Sequence, residues 1–214
     1  MTKKQLYSEV IKYFEAERPI AESELQYTNP YELIVAVILS AQCTDKRVNM
    51  TTPAFFKAFP NAEQLAKASV DEIYEKIKSI SYPNSKARHL KGMAEMLTEH
   101  FHGTVPDDIE EMQQLPGVGR KTANVVSAVW FNRPAMAVDT HVFRVSARIG
   151  LTTGAKTPLE TERQLVANLS EEEIPIAHHW LILHGRYVCT ARSPHCGACG
   201  IREACREYAK QNKK

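Results

Sequence analysis

Apolar residues recur at intervals of three and four along most of this chain, which is the spacing that places side chains on one face of an α-helix. Strand-like alternation is scarce. The clearest runs are Leu6, Val10, Ile11 and Phe14; Leu33, Val37 and Ile38; Leu90, Met93 and Leu97; and Leu181, Ile182 and Leu183. The pattern therefore predicts an all-α protein.

Proline, glycine and asparagine interrupt the helical pattern and divide the chain into about ten predicted helices. The interruptions are Arg18-Pro19, Asn29-Pro30, Phe59-Pro60, Tyr82-Pro83, Gly103 to Pro106, Asn132-Arg133-Pro134 and Gly150 to Pro158. There is no low-complexity linker and no repeat of solenoid period. The interruption at Asn132-Arg133-Pro134 is the best candidate for a domain boundary.

Composition narrows the class of protein. The 214 residues, 43% of them hydrophobic, suffice for one large domain or two small ones. No apolar run approaches the roughly 20 residues that span a membrane, and the polar start at residues 1–5 lacks the apolar core of a signal peptide. We expect a soluble, cytoplasmic protein without membrane contact, and a solvated tail that contains Lys210, Lys213 and Lys214. The net charge of +2 is too small to indicate a nucleic-acid partner by itself.

Four of the five cysteines lie close together near the C-terminal end, with the spacing C-x6-C-x2-C-x5-C. They are Cys189, Cys196, Cys199 and Cys205, and the cations that flank them are Arg186, Arg192, Arg202 and Arg206. Disulfides are disfavoured in a cytoplasmic chain, and unrelated buried cysteines would be scattered, as Cys43 is. Four converging thiolates suit either zinc or a [4Fe–4S] cluster, and the spacing alone does not separate these two.

Two glycines stand between two short predicted helices in the stretch Leu-Pro-Gly-Val-Gly-Arg-Lys-Thr-Ala at residues 115–123. Asp107 is the predicted N-cap of the first helix, and residues 122–129 form the second. Because glycine permits positive φ and close backbone approach, Gly117 and Gly119 can direct amides toward a phosphate. An ordinary turn between two helices is the alternative.

Two residues in and after this stretch are candidates for chemistry. Lys121 falls in the first turn of the second helix, where the helix dipole and Arg120 disfavour another positive charge, so it is a candidate nucleophile for a Schiff base. A lysine that contacts phosphate from a solvated face is the alternative. Asp139 is the only acidic residue in the cationic stretch 115–150. It is a predicted N-cap and, in a second interpretation, a carboxylate that stabilises a cationic transition state.

Further segments join these stretches along the whole chain. They are Ser40-Ala-Gln-Cys-Thr-Asp45, Asn84-Ser-Lys-Ala87, Leu115 to Val126, Ala137-Val-Asp-Thr-His-Val-Phe-Arg144, His178 to Tyr187 and the cysteine spacing. In this order and at these separations, they resemble the endonuclease III family of bifunctional DNA glycosylases with AP lyase activity.

The resemblance implies a two-domain helix-hairpin-helix DNA glycosylase fold with a [4Fe–4S] cluster on the four cysteines. Residues 22–133 would form a six-helix barrel domain that contains the hairpin, and residues 1–21 with 134–214 an iron–sulfur domain. The active-site cleft would lie between the domains. The four histidines just before and among the cysteines are then expected to be buried packing and hydrogen-bonding groups, because the thiolates complete the metal site.

The function implied by the resemblance is base excision repair, with double-stranded DNA that contains damaged pyrimidines or abasic sites as the partner. A damaged base leaves the stack, Lys121 attacks C1′, and elimination of the 3′ phosphate follows through the Schiff base. Asp139 would stabilise positive charge on the sugar and assist proton transfer. We expect a monomer that associates with the nucleoid.

The resemblance also implies a set of DNA contacts. Gln42 would fill the gap left by the flipped base, Tyr82 would wedge between the strands, and the hairpin would hold backbone phosphate. The expected contacts are Gln42, Tyr82, Gly117, Gly119, Arg120, Thr140, His141, Arg144 and Arg192.

Three places depart from the family pattern. The residues Ser81-Tyr82-Pro83 replace a small-apolar-aromatic run, and Pro83 stiffens that loop. Ser193 and His195 stand where a second basic residue is expected, which leaves phosphate contact in that loop mainly to Arg192. Gln113 occupies a position where a carboxylate is familiar.

Two other functional classes stay open at this level. A monofunctional glycosylase of the adenine-mismatch type shares the fold and cluster but has no lyase step; Lys121 and the absence of a large extra C-terminal domain argue against it. A non-catalytic module that binds damaged DNA is disfavoured by the presence of both Lys121 and Asp139.

Overall fold

A computed structural model describes residues 1–212 of the chain. Lys213 and Lys214 of the expected tail lie outside these residues, whereas Lys210 is an exposed residue of the last helix. Every regular element between residues 1 and 212 is a helix, which confirms the all-α prediction. None of these helices has the length and apolar character needed to cross a membrane.

The described residues form twelve α-helices and two short 3₁₀ helices. In chain order the α-helices are α1 (Lys3–Glu17), α2 (Pro30–Ser40), α3 (Asp45–Ala58), α4 (Ala62–Lys67), α5 (Val70–Ile77), α6 (Pro83–His100), α7 (Ile109–Met112), α8 (Arg120–Val129), α9 (Thr140–Ile149), α10 (Pro158–Val166), α11 (Glu173–Tyr187) and α12 (Arg206–Gln211). The 3₁₀ helices, Cys196–Ala198 and Arg202–Ala204, lie between α11 and α12.

The chain divides into two compact units. One is the continuous segment Ser23–Asn132, and the other combines Met1–Glu22 with the chain from Arg133 onward. The continuous unit therefore contains α2 to α8, and the second unit contains α1 together with α9 to α12.

Three of the predicted interruptions are helix starts with proline as the first residue. Pro30, Pro83 and Pro158 begin α2, α6 and α10, because the first turn of a helix needs no N–H from that residue and suits the fixed φ of proline. Asn29 caps α2 with its side chain. Tyr82, in front of α6, makes no side-chain cap and has a left-handed backbone conformation.

The core of the continuous unit is built around α2. Seven consecutive residues of this helix, Leu33 to Leu39, are buried, and a helix that is apolar on all sides belongs in the interior of its domain. Helices α3, α6 and α8 pack around it. The central position of α2 also fixes the loop that follows it, in which Gln42 lies.

The core of the second unit is formed by α1, α9 and α11. The ring of Phe14 stacks on Trp180 with 5.7 Å between the ring centroids. Helices α9 and α11 approach closely at Gly185, where a Cβ atom would lie only 2.8 Å from the Cβ of His141. A glycine at this point allows α9, which begins after Asp139, to lie directly against the helix that leads to the first clustered cysteine.

One predicted helix cap is wrong. Asp108, and not Asp107, caps α7, because its Oδ1 accepts hydrogen bonds from the backbone N–H groups of Glu110 at 2.8 Å and Glu111 at 2.9 Å. These two amides are the second and third of the helix, the positions that an N-cap side chain normally serves. The helix therefore starts one residue later than predicted, at Ile109.

Candidate active site and metal centre

The turn between α7 and α8 is built on Gly117. Its φ of 81° lies in the left-handed region, which glycine adopts without steric cost. The neighbours Leu115 and Val118 are buried and close the turn, with the N–H of Val118 donating to the Leu115 carbonyl at 3.0 Å. A Cβ atom at Gly117 would lie 2.8 Å from the Cβ of His89 on α6, so the packing of the turn also requires glycine.

The second glycine of the turn, Gly119, leaves the start of α8 open. It is the N-cap residue and provides no side-chain hydrogen bond to the first amides of the helix. A Cβ atom placed there would have nothing within 4 Å. Uncapped amides at a helix start bind anions, so this exposed backbone suits a phosphate group.

Lys121 is the second residue of α8 and its side chain is exposed, as is that of Arg120 before it. The amine therefore lies at the same helix start as the uncapped amides. An anion bound by those amides would therefore lie close to this amine.

Gln42 and Tyr82 lie in two exposed loops of the same unit, and both have a left-handed backbone. Their φ angles are 53° and 56°, which non-glycine residues rarely adopt. The Tyr82 side chain is 65% exposed. Such conformations persist only where the surrounding structure holds them, and they are enriched at functional sites.

Asp139 is the N-cap of α9, as predicted. Its Oδ1 accepts a hydrogen bond from the Val142 N–H at 2.8 Å. The group is half-buried, and the cap occupies only part of the acceptor capacity of a carboxylate. A second role in stabilising positive charge is therefore compatible with the cap. Thr140, which is exposed, and His141, which is half-buried, follow in the first turn of α9.

Arg144, one of the expected DNA contacts, makes several hydrogen bonds within the protein. Its Nη2 donates to the carbonyls of Gly185 at 2.9 Å and Cys189 at 3.1 Å, and lies 3.2 Å from Nδ1 of His141. A cation at the C-terminal end of α11 is favourable because the last helix carbonyls lack intrahelical donors. The geometry thus gives Arg144 a role in holding α9 against the start of the cysteine loop.

The four clustered cysteines line one pocket at the end of α11. The other lining residues are Ile149, His184, Val188, Pro194, His195, Ile201, Arg202 and Tyr208. In residues 1–212, no three His, Cys, Asp or Glu side chains are close enough together to hold a single metal ion. Four thiolates that line one pocket form a ligand set that suits an iron–sulfur cluster or a zinc ion.

Arg148 is a cation of this centre that the sequence analysis missed. Its Nη1 donates to the Cys189 Sγ at 3.5 Å and to the Thr190 carbonyl at 2.7 Å, and its Nη2 donates to the Ala191 carbonyl at 2.8 Å. Only the arginines next to the cysteines were predicted from the sequence to surround the centre. The available signal was the position of Arg148 one helical turn after Arg144, on the same face of α9.

The histidines near the cysteines differ in how far they are buried. His178 is buried, with its Nδ1 2.8 Å from the Ala137 carbonyl. His184 is also buried, and its Nε2 lies 3.7 Å from Cys199 Sγ; burial, with a smaller effect of Arg18, lowers the pKa of His184 to about 4. These two confirm the predicted packing role. The expectation of burial is wrong for His195, which is exposed in the loop between the first two cysteines.

Comparison with known proteins identifies the family. Residues 35–171 match the family model of the HhH-GPD superfamily of base excision DNA repair proteins, and residues 189–205 match the iron–sulfur binding domain of endonuclease III. Endonuclease III of Rickettsia felis is 44% identical over 204 residues, which cover 95% of both chains. The chain belongs to the endonuclease III family.

Further relatives of the endonuclease III family agree. The enzyme of Bacillus subtilis is 45% identical over 196 residues, which cover 92% of this chain and 90% of that protein. A solved structure, a trapped endonuclease III–DNA covalent intermediate in an estranged-adenine complex, has a TM-score of 0.93 and 42% identity, and covers 99% of this chain and 100% of that one. The predicted family and the helix-hairpin-helix glycosylase fold are therefore confirmed.

Membership of the endonuclease III family settles the class of activity and the cofactor. The protein is a DNA glycosylase with AP lyase activity that acts in base excision repair, and DNA is its partner. It carries a [4Fe–4S] cluster, which excludes the zinc alternative. When bound, the cluster supplies a covalent cross-link between four points of the C-terminal loop.

Replacement of Arg148 tests whether this residue stabilises the cysteine loop. We expect Arg148→Met to lose iron to a chelator at least about tenfold faster than the unmodified protein, because hydrogen bonds from a charged donor contribute roughly 1.5–3 kcal/mol each. Visible absorbance and iron content measure the loss. Arg192→Met removes an exposed cation of the same loop and should leave the rate unchanged; equal rates for all three proteins would contradict the assigned role.

Proposed function

We propose that this protein removes oxidised pyrimidines from double-stranded DNA and cleaves the resulting abasic site by β-elimination through a Schiff base on Lys121. The observation that carries the proposal is the exposed amine of Lys121 at the uncapped start of α8, directly after the two-glycine turn. The solved covalent protein–DNA intermediate of a relative at 42% identity supports it.

In the proposed complex, the DNA backbone is held at the hairpin. The backbone N–H groups at Gly117 and Gly119 donate hydrogen bonds to a phosphate at the helix start, and the exposed Arg120 and Arg192 add positive charge. Contacts of this kind fix the register of the protein on the duplex and carry no sequence information. They suit an enzyme that must act on a lesion in any sequence context.

Extrusion of the damaged base is assigned to Gln42 and Tyr82. A glycosidic bond inside the stack is out of reach of an enzyme side chain, so the nucleotide must leave the duplex. The exposed ring of Tyr82 is suited to unstack a base step, and the amide of Gln42 is suited to hydrogen-bond in the vacated position. Because the backbone conformations of both loops are already formed, less conformational entropy is lost when the two side chains insert into the duplex.

The covalent step begins when the nitrogen of Lys121 attacks C1′ of the extruded nucleotide. The bond from C1′ to the base nitrogen breaks, and the base leaves with the bonding electron pair and takes up a proton. Opening of the sugar ring then gives an iminium between Lys121 and C1′. Loss of a proton from C2′ and cleavage of the C3′–oxygen bond release the 3′ phosphate, and water frees the lysine.

Asp139 is assigned the electrostatic part of this reaction. Positive charge develops at C1′ as the base departs, and a fixed carboxylate stabilises that charge more strongly than water does. The N-cap hydrogen bond from Val142 holds the group in place. The same carboxylate can accept protons that leave the lysine and the sugar. We further propose that the protein acts as a monomer on the nucleoid in the cytoplasm.

Replacement of the lysine tests the proposal directly. We expect Lys121→Gln to form no covalent adduct with thymine-glycol duplex under borohydride, and to lose strand cleavage by about 10³-fold or more, because an amide is not a nucleophile. Gel electrophoresis resolves the adduct. Base release by the unmodified protein without an adduct would instead support the monofunctional class, and binding without release would support the non-catalytic module.

The two glycines allow a paired test of phosphate binding. Gly119→Ala should cost less than about 1 kcal/mol of stability, since its backbone is extended and the space beside it is open. The added methyl group should nevertheless raise the Kd for abasic duplex about tenfold or more, through loss of charge-assisted hydrogen bonds.

Gly117→Ala is the matched comparison. It should lower the free energy of unfolding by about 1–3 kcal/mol because of its positive φ and its contact with His89. Chemical denaturation and fluorescence anisotropy measure the two effects. Unchanged DNA affinity in Gly119→Ala would show that the hairpin is not part of the DNA-binding surface.

A further inference from the structure

Lys86 is a buried lysine that the reaction described above does not use. It lies in the first turn of α6 and is 5% exposed. Its Nζ donates to the carbonyls of Leu39 at 2.8 Å and Ala41 at 2.6 Å. A buried ammonium group is costly unless its donors are satisfied. Burial lowers the pKa of Lys86, and the nearby Cys43 acts in the opposite direction. The hydrogen bonds to the two carbonyls offset the cost of burying this amine.

These two carbonyls belong to the end of α2, immediately before Gln42. The last carbonyls of a helix lack intrahelical donors, and a cation placed there is favourable. Ala41 is the C-cap residue of α2, and the chain turns at Gln42 with a φ of 53°. Lys86 therefore holds the backbone that carries the Gln42 side chain.

The same residue also holds the second exposed loop. The backbone N–H of Lys86 donates to the Tyr82 carbonyl at 3.1 Å, which is the first hydrogen bond of α6 after the left-handed Tyr82. A further tie joins α3 to this loop, because Nη1 of Arg47 donates to the Ser79 carbonyl at 3.2 Å. The loops that contain Gln42 and Tyr82 are thus linked by the buried Lys86 side chain, by Arg47, and by the Thr51 hydroxyl of α3, which lies 3.3 Å from the hydroxyl of Ser79.

We propose that Lys86 is a positioning residue that fixes the separation of Gln42 and Tyr82, so that both side chains enter the duplex as one unit during base extrusion. The inference rests on the proposed function, in which these two residues open the stack. During base extrusion, the space left by the base must be filled while the neighbouring base step is unstacked, so both side chains must act together. A displacement of about 1 Å in a positioning group can lower the rate about 10²-fold.

The test compares a substrate that needs extrusion with one that does not. Lys86→Met removes the charge and keeps a side chain of similar length. The substrates are a duplex with thymine glycol opposite adenine and a single-stranded oligonucleotide with an abasic site. We expect kcat/KM on the duplex to fall about tenfold or more, and cleavage of the single strand to stay within about twofold. A 2-aminopurine base beside the lesion should show a correspondingly smaller rise in fluorescence.

Lys91→Met is the matched control. Lys91 lies on the same helix and likewise donates to a backbone carbonyl, that of Ala66, with Glu95 3.0 Å from its amine. Its removal should leave both substrates unaffected, since neither exposed loop depends on it. If Lys86→Met does not fold, Arg47→Met cuts the second tie and should lower duplex activity in the same selective way.

The outcomes separate this inference from the function on which it rests. Unmodified protein without activity on the thymine-glycol duplex would overturn the proposed function. Active unmodified protein with an equally active Lys86→Met variant would overturn only the positioning role. Equal losses on duplex and single strand would also overturn it, because they would show general damage to the enzyme. Selective loss on the duplex supports the inference.

Discussion

The chemistry proposed for this protein depends on how two helices begin. Helix α8 starts at Gly119 without a side-chain cap, so its first amides and the amine of Lys121 are open to an anionic partner. Helix α9 starts at Asp139, whose carboxylate is fixed by its own capping bond to Val142. A helix start attracts negative charge. At α9 the protein supplies that charge, and at α8 a DNA phosphate supplies it in the proposed complex.

Within each unit, basic side chains bind backbone carbonyls at or just beyond helix ends. In the second unit, Arg144 and Arg148 of α9 bind the carbonyls at the end of α11 and the start of the cysteine loop. In the continuous unit, Lys86 binds the last carbonyls of α2 in front of Gln42. Arg144 and Lys86 satisfy carbonyls at helix ends that lack an intrahelical partner, and Arg148 satisfies carbonyls of the cysteine loop. They connect the groups assigned to DNA and to the reaction with the rigid helices of their units.

The features that could be predicted from the sequence are those that depend on a few neighbouring residues. The helical periodicity, the capping role of Asp139 and the spacing of four cysteines are readable over a few residues, and the structure confirms the helices and this cap. Lys86 and Arg148 were missed because their partners lie 47 and 41 residues away, and only packing brings them together. The choice between Asp107 and Asp108 as a cap was wrong because both carboxylates fit the local pattern, and backbone geometry decides between them.

The central claim is that the exposed amine at the start of α8 becomes bonded to the deoxyribose of the lesion. The most direct measurement is peptide mapping by mass spectrometry of the borohydride-reduced protein–DNA adduct, after protease and nuclease digestion. We expect the sugar remnant on the peptide that contains Lys121, at that residue. A remnant on the N-terminal amine or on any other lysine would contradict it.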